Sequence, residues 1–180
     1  MAAKQGSKKK EAKSSKAAVD GNPLLQLSSV PNYAPLFDCI REEHYLPAVE
    51  EAISIARKNV EAIKKCKKKP DFKNTIVALE TSSELLGAVS AVFYNQLSAA
   101  GTDGLHSLAE KIGPISSAFS SDVSLDGKLF ERVKAVHDAA KSLSLTPEEA
   151  TLLDETYSGF VRGGALLDKK KKARLREINE

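Results

Sequence analysis

The chain has 180 residues, of which 42% are hydrophobic and 28% charged, and its formal net charge is +3. This length and mixture are typical of one globular domain with a buried core. No uninterrupted apolar run approaches the roughly 20 residues that cross a bilayer, and no apolar stretch follows the first lysines as a secretory signal requires. We therefore expect a cytoplasmic protein with no membrane partner.

The positive charge is concentrated at the N-terminus. Residues 1–20 hold six lysines against Glu11 and Asp20, a local charge of +4, whereas the remaining residues carry −1. With so few large apolar side chains, residues 1–21 are predicted to form a disordered, solubilising tail before a domain at 22–180. An arm that binds RNA or a membrane surface is the alternative, and nucleic acid is not expected as a partner.

Two cysteines, Cys39 and Cys66, are too few for a disulfide framework or a zinc ribbon. Both are predicted to be reduced thiols. Cys39 is expected to be the more buried of the two, because Phe37 and Ile40 lie beside it.

From residue 44 onward the apolar residues have helical spacing, and strand-like alternation is absent. The first helix is predicted to carry Pro47 in its first turn and to stop at Pro70. A second helix is expected at about 73–99 and a third at about 103–121, with a kink at Gly113-Pro114. The predicted buried positions are Val49, Ala52, Ile53, Ala56, Val60, Ile63, Ile76, Leu79, Leu86, Val89, Phe93, Leu97, Leu105, Leu108, Ile112, Ile115 and Phe119.

Capping residues define the last three predicted helices. Asp126 begins the fourth, and "TPEEA" forms a capping box in which Thr146 and Glu149 satisfy each other's backbone N–H groups. Gly163-Gly164 ends this fifth helix, and Asp168 caps the sixth. The buried positions expected here are Leu129, Phe130, Val133, Val136, Leu143, Leu152, Leu153, Tyr157, Phe160, Leu175 and Ile178. About six amphipathic helices predict an all-α fold, packed as an antiparallel bundle or array.

The histidines do not form a recognisable zinc motif. Zinc peptidases of the H-E-x-x-H type hold the metal with two histidines four residues apart on one helix. His44, His106 and His137 are each tens of residues apart, with Ala48 and Lys141 at the positions where a second histidine would be needed. Surface or helix-end roles are therefore predicted for all three.

Other catalytic motifs are also absent from the sequence. There is no phosphate-binding glycine loop and no G-x-S-x-G. The serines of "ISSAFSSDVS" are predicted to face solvent or to cap helices, and Gly163-Gly164 is favoured as a helix end over a point of close approach. The carboxylate pairs Glu42-Glu43 and Glu50-Glu51 are expected on a solvated face. No catalytic, cofactor-binding or metal-binding residue is predicted.

Five segments taken together resemble a known family. "NPLLQ", "PLFDCIREEHYLPAVEEAI", "PDFKNTIVALETSSELLGAVSAVFYNQLSA", "DGKLFERVKAVHD" and "LTPEEATLLDETYSGFVRGGALLD", followed by "KARLREINE", occur in this order between residues 22 and 180. They resemble the N-terminal region of the zinc metallopeptidases related to thimet oligopeptidase. Within these, oligopeptidase A and especially peptidyl-dipeptidase are the more similar.

The resemblance implies a helical, clamshell-like peptidase whose channel admits short peptides. Its zinc is held by an H-E-x-x-H helix and a later glutamate, and peptidyl-dipeptidases release dipeptides from the C-terminus of the substrate. Those elements would lie in a catalytic domain beyond Glu180. We therefore expect this chain to be an N-terminal lobe that forms part of the channel wall, binds no zinc and is inactive alone.

Two hypotheses of other classes stay open. The chain is alternatively a stand-alone helical module that binds a protein or peptide without catalysis. The weakest hypothesis is a nucleic-acid-associated protein that binds through the lysine tail, because the remainder of the chain is slightly acidic.

Overall fold

The computed structural model describes residues 21–26 and 34–179. Within these ranges the protein is all-α, as predicted, and contains no strand. Short 3-10 turns lie at Pro23–Leu25 and Ala140–Ser142. The predicted disordered tail lies outside the described residues, apart from Gly21. Six helices occur in the described ranges: α1 (Glu42–Lys65), α2 (Phe72–Ala100), α3 (Asp103–Ser124), α4 (Gly127–Asp138), α5 (Pro147–Arg162) and α6 (Lys169–Asn179).

The helix starts follow the capping rules that the sequence contains. Thr146 Oγ1 accepts a hydrogen bond from Glu149 N at 3.3 Å, and Glu149 Oε2 accepts one from Thr146 N at 2.9 Å, which confirms the predicted capping box. Asp126 Oδ1 accepts from Leu129 N, and Asp168 Oδ1 accepts from Lys171 N, each at 2.9 Å. These caps satisfy N–H groups that have no partner inside the helix.

Helix α2 is irregular in its first three turns. It opens with a π-helical turn at Phe72–Val77 and passes through a 3-10 turn at Thr81–Ser83 before the α-helix Glu84–Ala100. A second capping box begins it, since Asp71 Oδ1 accepts from Asn74 N at 2.7 Å and Asn74 Oδ1 accepts from Asp71 N at 3.2 Å.

Five predictions about individual residues are wrong. Helix α1 ends at Lys65, five residues before Pro70. Helix α1 begins at Glu42, two residues early, so Pro47 lies in the second turn and removes one hydrogen bond from the helix interior. Leu143 was expected on the inner face of the fourth helix but lies beyond the end of α4, where it is partly buried against the core of unit 2. Cys39 is exposed, because the turn that holds it forms no apolar face, and Ile178 is 65% exposed. Helix α3 continues through Pro114 to Ser124.

The chain forms two compact units. Unit 1 comprises the described residues of Met1–Ser54 and Leu85–Ile112, and unit 2 comprises Ile55–Glu84 and Gly113–Glu180. The core of unit 1 combines small and aromatic side chains, and the ring of Tyr45 meets that of Phe93 edge-on at 5.2 Å. Its buried apolar residues are Leu24, Tyr45, Ala48, Val49, Ala52, Ile53, Val89, Phe93, Leu105 and Ile112.

The core of unit 2 is built on a stack of rings. Phe130 packs against Tyr157 at 5.8 Å and against Phe160 at 6.0 Å, with the planes within 30° of parallel in both pairs. The buried apolar cluster around them contains Val60, Ile63, Ile76, Leu129, Val133, Val136, Leu153 and Ala165. Most of the positions that helical spacing predicted to be buried are therefore in one of the two cores.

Gly163 and Gly164 end helix α5, as predicted. Gly164 has φ of +94°, a backbone conformation that favours glycine. It is also a point of close approach, because a Cβ there would lie 2.7 Å from Leu175 Cδ2 and 3.2 Å from Leu125 Cδ2. The two roles that the sequence analysis treated as alternatives are both present.

Helix α2 is long and apolar enough to span a membrane by length and composition, with a window of mean hydropathy 1.5 that is 28% buried. The sequence prediction concerned uninterrupted apolar runs, and it does not cover a helix such as α2, in which polar residues interrupt the apolar ones. Core helices of soluble proteins share the property, and the prediction of no membrane partner is untested by it.

Candidate functional site

The three histidines lie on three different helices. His44 on α1 accepts a hydrogen bond at Nδ1 from Arg41 N at 3.0 Å, and His106 is exposed on α3; both belong to unit 1. His137, on α4, belongs to unit 2. Within residues 21–26 and 34–179 no three His, Cys, Asp or Glu side chains group as a metal site would require.

The glutamate pairs and the serines of α3, which the sequence also suggested as candidates, differ in their exposure. Glu42, Glu43 and Glu50 are exposed and Glu51 is half-buried, and none forms an ion pair with a described residue. The serines of α3 were predicted to face solvent or cap helices, but Ser121 is buried and only Ser120 among them is exposed. Ser117 and Ser121 are covered because α6 packs against this part of α3.

The most elaborate polar arrangement is a groove of about 390 Å³ in unit 2, which we call the charged groove. It lies between α1, α3 and the C-terminal half of α6. Val60, Phe119 and Val123 provide its apolar surface. Six charged side chains complete the lining: Arg57, Glu61, Lys64, Asp122, Asp126 and Arg176.

Asp122 is the centre of one half of this groove. Its carboxylate pairs with Arg57 Nη1 at 2.8 Å and with Arg176 Nη1. Burial by itself raises the pKa of Asp122, but the hydrogen bonds from Arg176 and Arg57 outweigh it, and the pKa lies below its ordinary value. The guanidinium of Arg57 also lies 5.4 Å from the centre of the Phe119 ring, a cation–π contact.

Lys64 is the centre of the other half. Its ammonium pairs with Asp126 Oδ2 at 2.7 Å and with Glu61, and these hydrogen bonds raise the pKa of Lys64. Burial raises the pKa of Asp126, but Lys64 and the backbone N–H of Leu129 lower it by more. Asp126 therefore serves both as the cap of α4 and as a partner of Lys64.

Polar contacts also attach α6 to the end of α3. Ser117 Oγ donates to Asn179 O at 2.6 Å, and Asn179 Nδ2 donates to Ser121 Oγ at 3.2 Å. Lys172 Nζ donates to Leu125 O at 3.1 Å. These bonds hold Arg176 in its place over Asp122.

The chemistry open to the charged groove is binding rather than proton transfer. Asp122 and Asp126 have lowered pKa values and stay ionised near neutral pH, so neither is suited to act as a general acid there. The groove has no net charge, because its three cationic side chains balance its three carboxylates. It therefore presents fixed pairs of opposite charge to a ligand. The sequence analysis missed this site, although Arg57, Glu61 and Lys64 lie on one helical face at spacings of four and three residues.

Comparisons with known proteins point to peptidases. No protein-family profile matches the chain. A dipeptidyl carboxypeptidase from Salmonella typhimurium is 41% identical over 158 residues, which are 88% of this chain and 23% of that protein. This chain is related to dipeptidyl carboxypeptidase. The dipeptidyl carboxypeptidase of Escherichia coli is 39% identical over the same length.

Oligopeptidase A of Salmonella typhimurium is a more distant relative of the chain, 26% identical over 157 residues. The resemblance to this peptidase family is thus confirmed, and the chain spans 23% of the length of the dipeptidyl carboxypeptidases that it matches. The resemblance also implies zinc for a complete enzyme. The described residues of this chain do not fit a zinc site, since no three candidate ligands lie together among them.

Proposed function

We propose that this chain forms a helical part of a peptidase that releases dipeptides from short peptides. In this proposal zinc and the residues that cleave the peptide bond belong to protein segments outside these 180 residues. The single observation that carries the proposal is the 41% identity with a dipeptidyl carboxypeptidase over 158 residues.

The described residues suit a structural and substrate-contacting role. Asp122 holds Arg57 and Arg176 in fixed positions, and Phe119 lies beside them. Guanidinium groups held by one carboxylate still have N–H donors for peptide carbonyl groups. Such donors and apolar surface bind and orient an extended peptide without taking part in its hydrolysis.

A chimeric enzyme tests the proposal directly. The segment of Escherichia coli dipeptidyl carboxypeptidase that matches this chain is replaced by residues of this chain, and release of dipeptides from a short peptide is measured. We expect the chimera to retain activity within about tenfold of the parent, and deletion of the segment to abolish it. The matched control replaces the segment by an unrelated helical domain of equal length, which is expected to give no activity.

A soluble, folded chimera without activity would contradict the proposal. The purified 180-residue chain provides a second measurement, and we expect it to release no dipeptides from the same peptide. If it binds that peptide tightly and the chimera is inactive, the alternative of a stand-alone binding module is favoured instead.

A further inference from the structure

A second cavity in unit 2 lies between the end of α4 and the first half of α5. Its volume is about 330 Å³, at the small end of the range for ligand sites, which suits a small molecule better than a large cofactor. Its walls are aliphatic: Ala140, Leu143, Leu145, Ala150 and Leu153. His137 and Asp154 provide its polar groups.

The imidazole of His137 is held in a fixed orientation. It lies parallel to the ring of Tyr157, with 3.9 Å between the ring centres and 11° between the planes. Its Nδ1 is buried and makes no hydrogen bond, and the nearest carboxylate oxygen, on Asp138, is 3.9 Å from it. An imidazole nitrogen without a proton is a hydrogen-bond acceptor, and the site argued below uses Nε2 in this role.

Two acceptors then face each other at the cavity. His137 Nε2 and Asp154 Oδ1 are 3.9 Å apart, which is too far for a hydrogen bond between them. A single ammonium nitrogen placed about 2 Å to the side of the line that joins them would lie about 2.8 Å from both and could donate to each. Among the described residues Asp154 has no other ion-pair partner, so its charge is available to a ligand.

We propose that this cavity binds a primary ammonium group that carries a branched aliphatic side chain, as at an amino-terminal leucine of a peptide. The ammonium bridges His137 Nε2 and Asp154 Oδ1, and the aliphatic group packs against Leu143, Leu145 and Leu153. A metal ion does not fit as well, because only two candidate ligands face the cavity and no third is grouped with them in the described part of the chain. The proposal is independent of the peptidase activity proposed above.

Three small probes test the site in the intact 180-residue protein. Leucinamide has both the ammonium and the side chain, N-acetyl-leucinamide lacks the ammonium, and glycinamide lacks the side chain. We expect leucinamide to shift the amide resonances of Leu145, Ala150 and Leu153 in a saturable titration. N-acetyl-leucinamide and glycinamide should each bind about tenfold more weakly or not at all, because the first lacks the ammonium group and the second lacks the aliphatic side chain.

Variants separate this site from general surface binding. Asp154→Asn removes the charge and is expected to weaken leucinamide binding about tenfold. Ala150→Leu fills the cavity from an exposed helix position and should abolish binding without unfolding the protein. The matched control is Glu155→Gln, which neutralises an exposed carboxylate on the same helix outside the cavity.

The proposal is overturned if leucinamide causes no shifts at these residues. It is equally overturned if N-acetyl-leucinamide binds as well as leucinamide, or if Asp154→Asn and Glu155→Gln have the same effect. Circular dichroism of each variant, compared with the parent protein, establishes that any loss of binding occurs in a folded chain.

Discussion

The two units are stabilised by different kinds of contact. All eight ion pairs between a Lys or Arg and a carboxylate among the described residues lie in unit 2, where they connect α1, α3 and α6 as well as neighbours within single helices. In the described part of unit 1, the long-range polar contacts are hydrogen bonds, such as the one from Thr102 Oγ1 to Glu42 Oε1 at 2.6 Å. Its core is apolar and aromatic.

Because of this difference, pH and salt should change the stability of unit 2 more than that of unit 1. Exposed ion pairs are screened by salt and are lost when a carboxylate is protonated. Apolar packing contains no charge that salt could screen or a proton could neutralise. The following three predictions test that contrast, and they are given from the largest expected change in stability to the smallest.

The core of unit 1 offers the largest effect. Phe93 has no exposed surface and contacts both Tyr45 and Tyr94 edge-on. We expect Phe93→Ala to lower the free energy of unfolding by about 3–5 kcal/mol, because it removes buried apolar surface and leaves a cavity. The measurement is urea denaturation followed by circular dichroism, at low and at high salt.

Tyr94→Ala is the control for Phe93→Ala, since Tyr94 is 45% exposed on the same helix and should cost much less. The loss in Phe93→Ala is expected to be the same at both salt concentrations. A loss that falls markedly with added salt would contradict the assignment of unit 1 to apolar packing.

Replacing either of two glycines, Gly104 or Gly87, by alanine should change the free energy of unfolding by an intermediate amount, with opposite signs at the two positions. A Cβ on Gly104 would lie 1.8 Å from Glu42 Oε2, so Gly104→Ala must displace that carboxylate from Thr102. We expect a loss of about 1 kcal/mol in the free energy of unfolding. Gly87→Ala, on α2, meets no atom within 4 Å and should instead stabilise the protein by about 0.5–1 kcal/mol.

Thermal unfolding of the two glycine variants side by side is sufficient to measure this difference. Should Gly104→Ala raise the midpoint as Gly87→Ala is expected to do, the contact between Glu42 and the start of α3 would have no energetic importance.

The ion pairs of unit 2 are expected to give the smallest effect and a characteristic dependence on pH. Asp122→Asn removes both arginine partners, but the side chains are 36–46% exposed, so we expect a loss of at most about 1 kcal/mol at neutral pH. The pKa of Asp122 is lower in the folded protein than the ordinary pKa of an aspartate. The contribution is therefore fully present above about pH 4 and is lost as the pH falls through the folded pKa.

The difference in unfolding free energy between the parent and Asp122→Asn should accordingly shrink below pH 4 and with added salt. Glu110→Gln, at an exposed position on the same helix, is the control and should change little at any pH. A difference that persists undiminished at the lowest pH at which both proteins fold would rule out the ion pairs as its source.

Local features of the fold could be predicted from the sequence, and long-range ones could not. The capping box of Thr146 and Glu149 depends on residues three apart, and it was predicted correctly. Pro47 was expected in the first turn of α1 because proline is common there, but the helix begins at Glu42 and Pro47 lies in its second turn. Cys39 was misjudged because apolar neighbours along the chain do not by themselves make a buried face.

The candidate sites illustrate the same limit. The charged groove brings together Arg57, Asp122 and Arg176, which are more than fifty residues apart, and no local spacing connects them. His137 was predicted to have a surface or helix-end role, and Asp154, which lies 3.9 Å from it, belongs to the next helix along the chain. Family resemblance identified the class of protein, whereas the geometry of individual sites required the folded chain.

The close approach at Gly164 restricts how this sequence can vary. Any other residue there would adopt φ of +94° at a cost of about 1–2 kcal/mol and would also push its Cβ against Leu175 and Leu125. Gly159, five residues earlier in α5, meets nothing within 4 Å. In a library that samples every amino acid at both positions, selection for folded protein should leave position 159 diverse and position 164 almost invariant.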